Sequence, residues 1–294
     1  MSKSILINGG CGYIGACLSE YLLNFGYHVV SVDLNLFNKP DQGCKNNIKI
    51  DYSNLSKEFI NSFDIVIHLA GHSSVKSCEL DPVGSLKNNC INFFHLVNSL
   101  RKDKKFIYIS SASVYGQSGE YRVKEDDNLP IPLKEYDRQK QIIDYFMESI
   151  THINWFGLRL ATINGYSKNP RNRLMINSMV KSAKLNNQVT VINGDSYRGI
   201  LGLEDFCQAV KAIVEQDKTS GFYNLSSFNM KIKNIGREVA NILKCNYQET
   251  DGEDTYSFCL DITKFQNIFN FQFKNTIESI VNDCLKNDFS KDRF

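Results

Sequence analysis

Apolar and polar positions along the first 165 residues follow two alternating patterns. Residues 5–7, 28–33, 63–71, 106–111 and 154–160 form short, mainly apolar runs, each of a length typical of one buried strand, and residues 48–51 form a shorter predicted strand that ends in an acid. Between them, apolar residues recur at helical spacing, as at positions 14, 17, 18, 21 and 22. Strands that alternate with helices predict an α/β fold built on a doubly wound parallel sheet, with ligands bound beyond the carboxyl ends of the strands.

A glycine-rich turn follows the first predicted strand. It matches G-x-G-x-x-G when read from Gly10 and G-x-x-G-x-x-G when read from Gly9, with Gly12 and Gly15 common to both. Glycine lets the backbone approach a pyrophosphate, and N–H groups at the start of the next helix face its charge. Asp33 ends the second strand 18 residues after Gly15, where a dinucleotide site places an acid on the ribose 2′-hydroxyl. These features predict a Rossmann-type site for NAD rather than NADP, because an acid repels a 2′-phosphate.

The regular alternation weakens beyond residue 165. Residues 189–192 read as a strand that runs into Asn193-Gly194, a pair typical of a hairpin turn. Arg198 is then expected on the return strand.

The same change in pattern predicts a division of the chain. We expect residues 1–165 to form a Rossmann NAD-binding domain, to which segments near 195–225 return. Residues 166–294 are expected to form mainly a smaller C-terminal α/β lobe that binds the substrate.

The composition narrows the class of protein. The 294 residues are 42% apolar, enough to bury a large core, and a net charge of +2 gives no electrostatic footprint for nucleic acid. No apolar run approaches the roughly 18 residues that a membrane-spanning helix needs. Nine scattered cysteines without a C-x-x-C pair indicate reduced thiols in the cytoplasm, and five unclustered histidines argue against a metal site.

Small or polar residues mark the carboxyl ends of four predicted strands. Asp33, Asp51, Gly71 and Ser111 stand at these ends, and a parallel sheet brings its carboxyl ends to one edge. His68, close to one of these ends, is expected to be a packed core residue rather than a base.

Tyr136 and Lys140 lie four residues apart at the start of a predicted helix, so their side chains share a face. A Y-x-x-x-K pair alone is common by chance, and a surface pair is the alternative. A free tyrosine has a pKa near 10, but a neighbouring ammonium and an oxidised nicotinamide both stabilise the phenolate. The order of glycine turn, strand-end Ser111 and Tyr-x-x-x-Lys therefore favours general-base chemistry beside NAD.

These motifs resemble the extended short-chain dehydrogenase/reductase family, in its NAD-dependent sugar-nucleotide epimerase/dehydratase branch, and within it the UDP-glucose 4-epimerases. The resemblance runs nearly end to end. It is carried by residues 8–15 at the glycine turn, 68–71 and 110–116 at two strand ends, the Tyr136–Lys140 pair and Arg198.

The resemblance implies roles for individual residues. Its catalytic residues are Ser111, Tyr136 and Lys140. Its cofactor-binding residues are Gly9, Gly12, Tyr13, Ile14, Gly15, Asp33, Leu34, Asp51, Tyr52, Leu69, Ala70, Gly71, Asn89, Ser110, Tyr136 and Lys140. Its substrate-binding residues are Ser111, Thr162, Asn177 and Arg198.

The chain also departs from the family pattern. Ala112-Ser113 follow the catalytic hydroxyl where the dehydratases have Asp-Glu, which argues against a 4,6-dehydratase. Thr162 replaces a usual asparagine, Gly202 a usual histidine and Ser73 a lysine. These departures leave the substrate open more than the chemistry.

The resemblance implies an NAD-dependent nucleotide-sugar epimerase that acts at C4 by Tyr-assisted transient hydride transfer through a keto-sugar. A nucleotide-sugar dehydrogenase or ketoreductase of the same family stays open, as does an inactive NAD-binding regulatory protein. The helices predicted at 84–101 and 136–150 are more apolar than one buried face requires, and equivalent helices pair in the family. We therefore expect a homodimer that binds a nucleotide-sugar.

Overall fold

The computed structural model describes residues 3–35, 46–252 and 255–290. Its strands are, in chain order, β1 (Ser4–Asn8), β2 (His28–Asp33), β3 (Asn47–Lys49), β4 (Ile65–His68), β5 (Lys105–Ser111), β6 (Arg122–Val123), β7 (Asn154–Leu160), β8 (Thr162–Asn164), β9 (Gln188–Ile192), β10 (Tyr197–Gly202), β11 (Gly221–Leu225), β12 (Phe228–Lys231), β13 (Asn246–Thr250) and β14 (Cys259–Leu260).

Helices follow most of these strands. They are α1 (Tyr13–Asn24), α2 (Lys57–Asn61), α3 (Val75–Leu80), α4 (Pro82–Leu86), α5 (Asn92–Ser99), α6 (Glu135–Glu148), α7 (Met175–Asn186), α8 (Leu203–Glu215), α9 (Ile232–Leu243), α10 (Thr263–Phe269) and α11 (Ile277–Cys284). A π-helical turn over Lys87–Ile91 joins α4 to α5.

Seven parallel strands form the central sheet in the order β3-β2-β1-β4-β5-β7-β11. Neighbouring residues of a strand point to opposite faces, so Ile5 and Ile7 pack in one core cluster with α1, α8 and α10. Leu6 packs in another with α5 and α6. Helices therefore cover both faces, which confirms the predicted doubly wound α/β fold.

A further layer contains three small sheets and its own apolar cluster. The three-stranded sheet has the order β8-β10-β12, and β9 pairs with β13 and β6 with β14. Helices α7 and α9 pack on β9, and α11 packs on both helices in the third cluster. Helix α8 packs on α1, and β11 is the edge strand beside β7, so residues 203–225 lie against the central sheet. The division of the chain near residue 165 stays our proposal.

The predicted hairpin at Asn193-Gly194 is wrong. The chain turns there, but β9 pairs in parallel with β13, whereas β10 pairs with β8 and β12. The turn favoured in two-residue hairpins needs positive φ at both central residues, and only Asn193, at +53°, has it. Strand β10 is buried along nearly its whole length, which a central position between two strands satisfies better than an edge hairpin.

Within the described residues, no helix has the length and apolar character required to cross a bilayer.

Candidate active site

Close backbone packing holds the glycine turn between β1 and α1. Gly9 has a φ of +81°, and a Cβ there would lie 2.6 Å from the backbone nitrogen of Ala70 at the end of β4. A Cβ on Gly15 would lie 2.2 Å from the Gly9 oxygen, so α1 packs directly against the turn. Gly12 differs, because it is exposed at the N-cap of α1 and an added Cβ would meet only the Gly9 oxygen, at 3.3 Å. The open backbone at this helix N-terminus fits a pyrophosphate.

We expect Gly12→Ala to fold normally but to lose NAD. Its backbone angles, φ −70° and ψ 178°, suit alanine, whereas the added methyl group would stand on the surface assigned to the pyrophosphate. The measurements are the NAD content of the purified protein and the rise in melting temperature with added NAD.

Gly15→Ala is the matched contrast to this variant, since its methyl group overlaps the Gly9 oxygen and should lower the melting temperature itself. A Gly12→Ala protein with full NAD content would contradict the pyrophosphate assignment.

Asp33 closes the carboxyl end of β2 beside the turn. Its Oδ2 accepts a hydrogen bond from the Cys11 N–H at 3.0 Å, and its Oδ1 accepts one from the Asn35 N–H at 2.8 Å. The half-buried carboxylate thus fixes the turn while part of it stays accessible, as ribose binding requires. Leu34 is exposed and Ile14 is half-buried next to the turn; most of the predicted loop over 34–47 lies outside the described residues.

The predicted residues after β3 and β4 split into two groups. Leu69, Ala70 and Gly71 leave β4 against the glycine turn, where a cofactor can reach them. Tyr52 instead packs its ring into the core, 4.7 Å from His68. His68 is buried among aromatic rings, which confirms its predicted place in the core, and burial lowers its pKa to about 3.

Several predicted ligand residues use their side chains to brace the chain. Asp51 caps the turn after β3 by accepting from the Ser53 N–H at 2.9 Å. The Asn89 side chain accepts from the His72 N–H at 2.8 Å and donates to Gln139 at 2.7 Å, which holds the loop after β4 from behind.

Tyr13 and Asn177 brace the connection that follows β8. The Tyr13 hydroxyl donates to the Gly165 oxygen at 3.0 Å, and the Asn177 Oδ1 accepts from the Gly165 N–H at 3.0 Å. Asn177 is fully buried and also donates to the Arg171 oxygen at 3.2 Å. Neither polar group faces open solvent, so the contact of Tyr13 with a cofactor is left to its backbone at the start of α1.

The three predicted catalytic residues meet at one edge of the sheet. Ser111 ends β5, and its Oγ accepts from the Ser113 N–H at 3.2 Å. Tyr136 is half-buried in the first turn of α6, and the Ser111 hydroxyl lies close enough to lower the pKa of its phenol. Lys140 lies one turn further on, with its Nζ 5.7 Å from the centre of the Tyr136 ring and donating to the Ile109 oxygen at 2.7 Å.

Burial sets the electrostatics of this group. It raises the pKa of Tyr136 to about 12, while the Ser111 hydroxyl and the charge of Arg171 oppose that rise. Burial also lowers the pKa of Lys140, and Asp144 opposes the shift. Tyr136 therefore needs further positive charge close by to serve as a base at neutral pH, and an oxidised nicotinamide is such a charge.

A buried ion pair between Arg159 and Asp144 lies next to Ser110, the residue before Ser111. Arg159 donates from Nε to Asp144 Oδ2 at 3.0 Å. The hydroxyls of Ser110 and Tyr108 donate to the same carboxylate, each at 3.0 Å. Ser110, predicted to bind the cofactor, therefore directs its hydroxyl into the core and leaves only its backbone for a ligand.

Arg198 on β10 is the predicted substrate residue with the clearest anion-binding character. It is 7% exposed, donates to Thr255 Oγ1 at 2.7 Å, and lies 5.2 Å from the centre of the Phe258 ring. Its Nε lacks a hydrogen-bond partner among the described residues, and burial lowers its pKa to about 10. Thr162 is half-buried on β8, next to β10 in the same sheet. A buried guanidinium with an unused donor fits a phosphate oxygen.

Sequence reasoning missed three polar neighbours of this group. Asp137 follows Tyr136 and accepts a hydrogen bond from the Tyr256 hydroxyl, 119 positions away, at 2.5 Å. Arg171 lies before α7 and donates from its guanidinium to the Ser73 backbone oxygen at 3.1 Å. An acid in the first turn of a helix is ordinarily explained by the helix dipole, so Asp137 carries no distinguishing signal in the sequence.

Comparison with known proteins shows which of them are similar to this chain. An ADP-L-glycero-D-manno-heptose-6-epimerase from Brachyspira hyodysenteriae is 26% identical, with 85% of this chain and 83% of that protein covered. A UDP-glucuronic acid 4-epimerase from Bacillus cereus, solved with UDP-glucuronic acid and NAD, superposes with a TM-score of 0.80 at 23% identity, covering 95% of this chain and 97% of that one. An NAD-dependent NDP-hexosamine 5,6-dehydratase superposes with a TM-score of 0.84 at 19% identity, covering 99% and 100%.

A family model settles the broader assignment. The model of the NAD-dependent epimerase/dehydratase family matches residues 5–226, which is most of the chain. This confirms the resemblance seen in the sequence and the predicted cofactor, NAD. The chain therefore belongs to the NAD-dependent epimerase/dehydratase family.

Proposed function

We propose that this enzyme is a nucleotide-sugar epimerase that acts at C4 with tightly held NAD. The observation that carries the proposal is the meeting of Ser111, Tyr136 and Lys140 at the carboxyl end of β5 and the start of α6. The same arrangement argues against an inactive NAD-binding protein, since a lost activity would not require these three side chains together.

The residues suggest a division of labour. Tyr136 removes the proton of the sugar hydroxyl, and Ser111 hydrogen-bonds the same oxygen. Lys140 stabilises the phenolate and would also hold the nicotinamide ribose. NAD, when bound, would supply hydride-transfer chemistry at the sugar carbon that carries this oxygen. Epimerisation requires the keto-sugar to rotate, so that the hydride returns to the opposite face of the same carbon.

Arg198 is proposed to bind the diphosphate of the nucleotide-sugar. Its buried guanidinium has an unused Nε donor, and no described carboxylate pairs with it. A diphosphate would supply both the acceptor and the missing negative charge. Thr162 and Asn177 are proposed as substrate residues on the resemblance alone.

The experiment incubates the purified protein with UDP-glucose, UDP-N-acetylglucosamine and UDP-glucuronic acid in turn. Interconversion of two C4 epimers without net NADH supports the proposal. Stoichiometric NADH would instead identify a nucleotide-sugar dehydrogenase or ketoreductase with exchangeable cofactor. Because the similar proteins include a 6-epimerase and a 5,6-dehydratase, NMR of the product should assign the carbon that changes.

We also propose that the enzyme is a cytoplasmic homodimer. No cysteine in the described ranges is joined in a disulfide, which fits a reducing compartment. The helices predicted to pair expose large apolar side chains, including Leu86 at 40%, Ile91 at 46% and Tyr145 at 54%. Such exposure is costly unless another surface covers it.

We expect light scattering at micromolar concentration to give the mass of a dimer, and Ile91→Glu to give a monomer. Placing a carboxylate in an apolar interface leaves it without a partner. Leu185→Glu, at an exposed apolar site on α7, is the control and should stay dimeric. A monomeric wild-type protein would contradict this proposal.

A further inference from the structure

Gln139 is a buried amide between Tyr136 and Lys140 that takes no part in the proposed proton transfer. It is 1% exposed, and its side chain reaches the π-helical turn over Lys87–Ile91. A buried amide needs a partner for its donor end and for its acceptor end, because a polar group left unpaired away from water costs free energy. The partners of Gln139 therefore show what it holds in place.

Both ends of the Gln139 amide are hydrogen-bonded. Its Oε1 accepts from the Asn89 Nδ2 at 2.7 Å, and its Nε2 donates to the Ser85 Oγ at 2.8 Å. The Ser85 hydroxyl donates in turn to the Pro82 oxygen at 3.1 Å. These bonds fix the orientation of the amide, since a turned-over Gln139 would bring its NH₂ group against the NH₂ group of Asn89.

Asn89 connects Gln139 to the loop that follows β4. Its Oδ1 accepts from the His72 N–H at 2.8 Å, and its Nδ2 also donates to the His72 oxygen at 3.1 Å. Gly71 lies directly against the same amide, because a Cβ on Gly71 would lie 2.5 Å from the Asn89 Oδ1. One side chain thus holds both backbone groups of His72, and Gln139 holds that side chain.

The two ends of this connection belong to different parts of the site. Gly71 is exposed beyond the carboxyl end of β4, next to residues 69 and 70, where a cofactor can reach the loop. Gln139 immediately precedes Lys140 on α6. The π-helical turn that carries Asn89 lies between them, and such turns are frequent at functional sites. The hydrogen bonds of Gln139 therefore join the loop after β4 to the helix that carries the catalytic pair.

We propose that Gln139 is a positioning residue that fixes the loop after β4 through Asn89 and thereby keeps NAD bound. Without the Gln139 oxygen, one N–H of the Asn89 amide loses its acceptor, and Asn89 is only 7% exposed. The remaining neighbour, the Cys78 Sγ at 3.8 Å, is a weak acceptor. The amide then turns toward another acceptor and releases His72. The inference rests on the proposed contact of residues 69–71 with NAD.

The first test measures the loop itself and needs no substrate. Hydrogen–deuterium exchange of the His72 amide is followed in NAD-saturated protein by fragmentation mass spectrometry. Gln139→Met keeps the length of the side chain and removes its oxygen, so we expect this amide to exchange about tenfold faster, with the amides of β4 unchanged. An unchanged rate at His72 would overturn the proposal, and so would an equal increase along β4, which would mean a loosened core.

The second test follows the cofactor. The exchange of bound NAD for isotopically labelled NAD is timed by mass spectrometry, and Gln139→Met should release NAD about tenfold faster. Turnover per bound NAD, with whichever of the three UDP-sugars is converted, should stay close to that of the wild type because Tyr136 and Lys140 are unchanged. Wild-type release of NAD combined with a loss of turnover would mean a direct effect on Lys140 and would overturn the proposal.

A double-variant cycle separates this role from packing. Asn89→Ala should speed both processes, and adding Gln139→Met to it should change neither further, because Gln139 acts through Asn89. An effect of Gln139→Met that persists in full in the Asn89→Ala protein would mean packing alone and would overturn the proposal. Arg138→Gln changes an exposed side chain in the same turn of α6 and is the control that should leave both rates in place. Failure of all three UDP-sugars would count against the proposed function, while the exchange at His72 would still decide the role of Gln139.

Discussion

Tyr136→Phe is expected to lower turnover by about 10²–10⁴-fold and to leave NAD binding unchanged. The variant removes one oxygen atom and keeps the ring, so that packing in the first turn of α6 is preserved. Lys140 keeps its hydrogen bond to the Ile109 oxygen, which does not involve the phenol. The loss should therefore appear in kcat, with NAD content and melting temperature close to those of the wild type.

The measurement pairs epimer interconversion with the NAD content of the same preparation. Tyr145→Phe removes the same atom from an exposed tyrosine of the same helix and should have no effect on turnover. Wild-type turnover in Tyr136→Phe would show that Tyr136 is not the base, whether or not NAD stays bound. Loss of NAD together with turnover would instead indicate a collapsed site.

The central sheet could be predicted from the sequence because its strands are buried on both faces. Residues 106–111 and 154–160 are mainly apolar runs, and they form β5 and β7 almost to the residue. The glycine turn was also predictable, since Gly9 and Gly15 meet local backbone or the end of a neighbouring strand. The steric demand at a glycine and the pattern of apolar residues in a strand both depend only on short stretches of sequence.

Pairing in the C-terminal part was less predictable because it depends on distant segments. Strand β9 finds its partner in β13, more than fifty residues later, and no local pattern announces that pairing. The contact of Asp137 with Tyr256 is of the same kind. A sequence motif also fixes the position of a residue but not the direction in which its side chain points. It therefore predicted that Ser110 binds the cofactor, although the Ser110 hydroxyl donates to Asp144.

Asp144→Asn is expected to lower the free energy of unfolding by about 3–5 kcal/mol, the largest effect on stability that we predict. The side chains of Arg159 and Asp144 are 2% and 1% exposed, so that water cannot replace the lost charge. The guanidinium would stay near the rings of Phe222, 4.1 Å away, and Tyr115, 5.1 Å away, without the carboxylate that now pairs with it. Two hydroxyls would also lose a charged acceptor.

Denaturant and thermal unfolding measure this loss, which should lower the melting temperature by about 5–8 °C for a chain of this size. Glu135→Gln breaks an ion pair with Arg138 whose side chains are 36% and 51% exposed, and it should cost less than about 1 kcal/mol. The comparison separates burial from charge, because both variants replace a carboxylate with an amide on α6. A loss below about 1 kcal/mol in Asp144→Asn would mean that Arg159 finds another partner. The catalytic edge formed by Ser111 and Lys140 would then not depend on this buried pair.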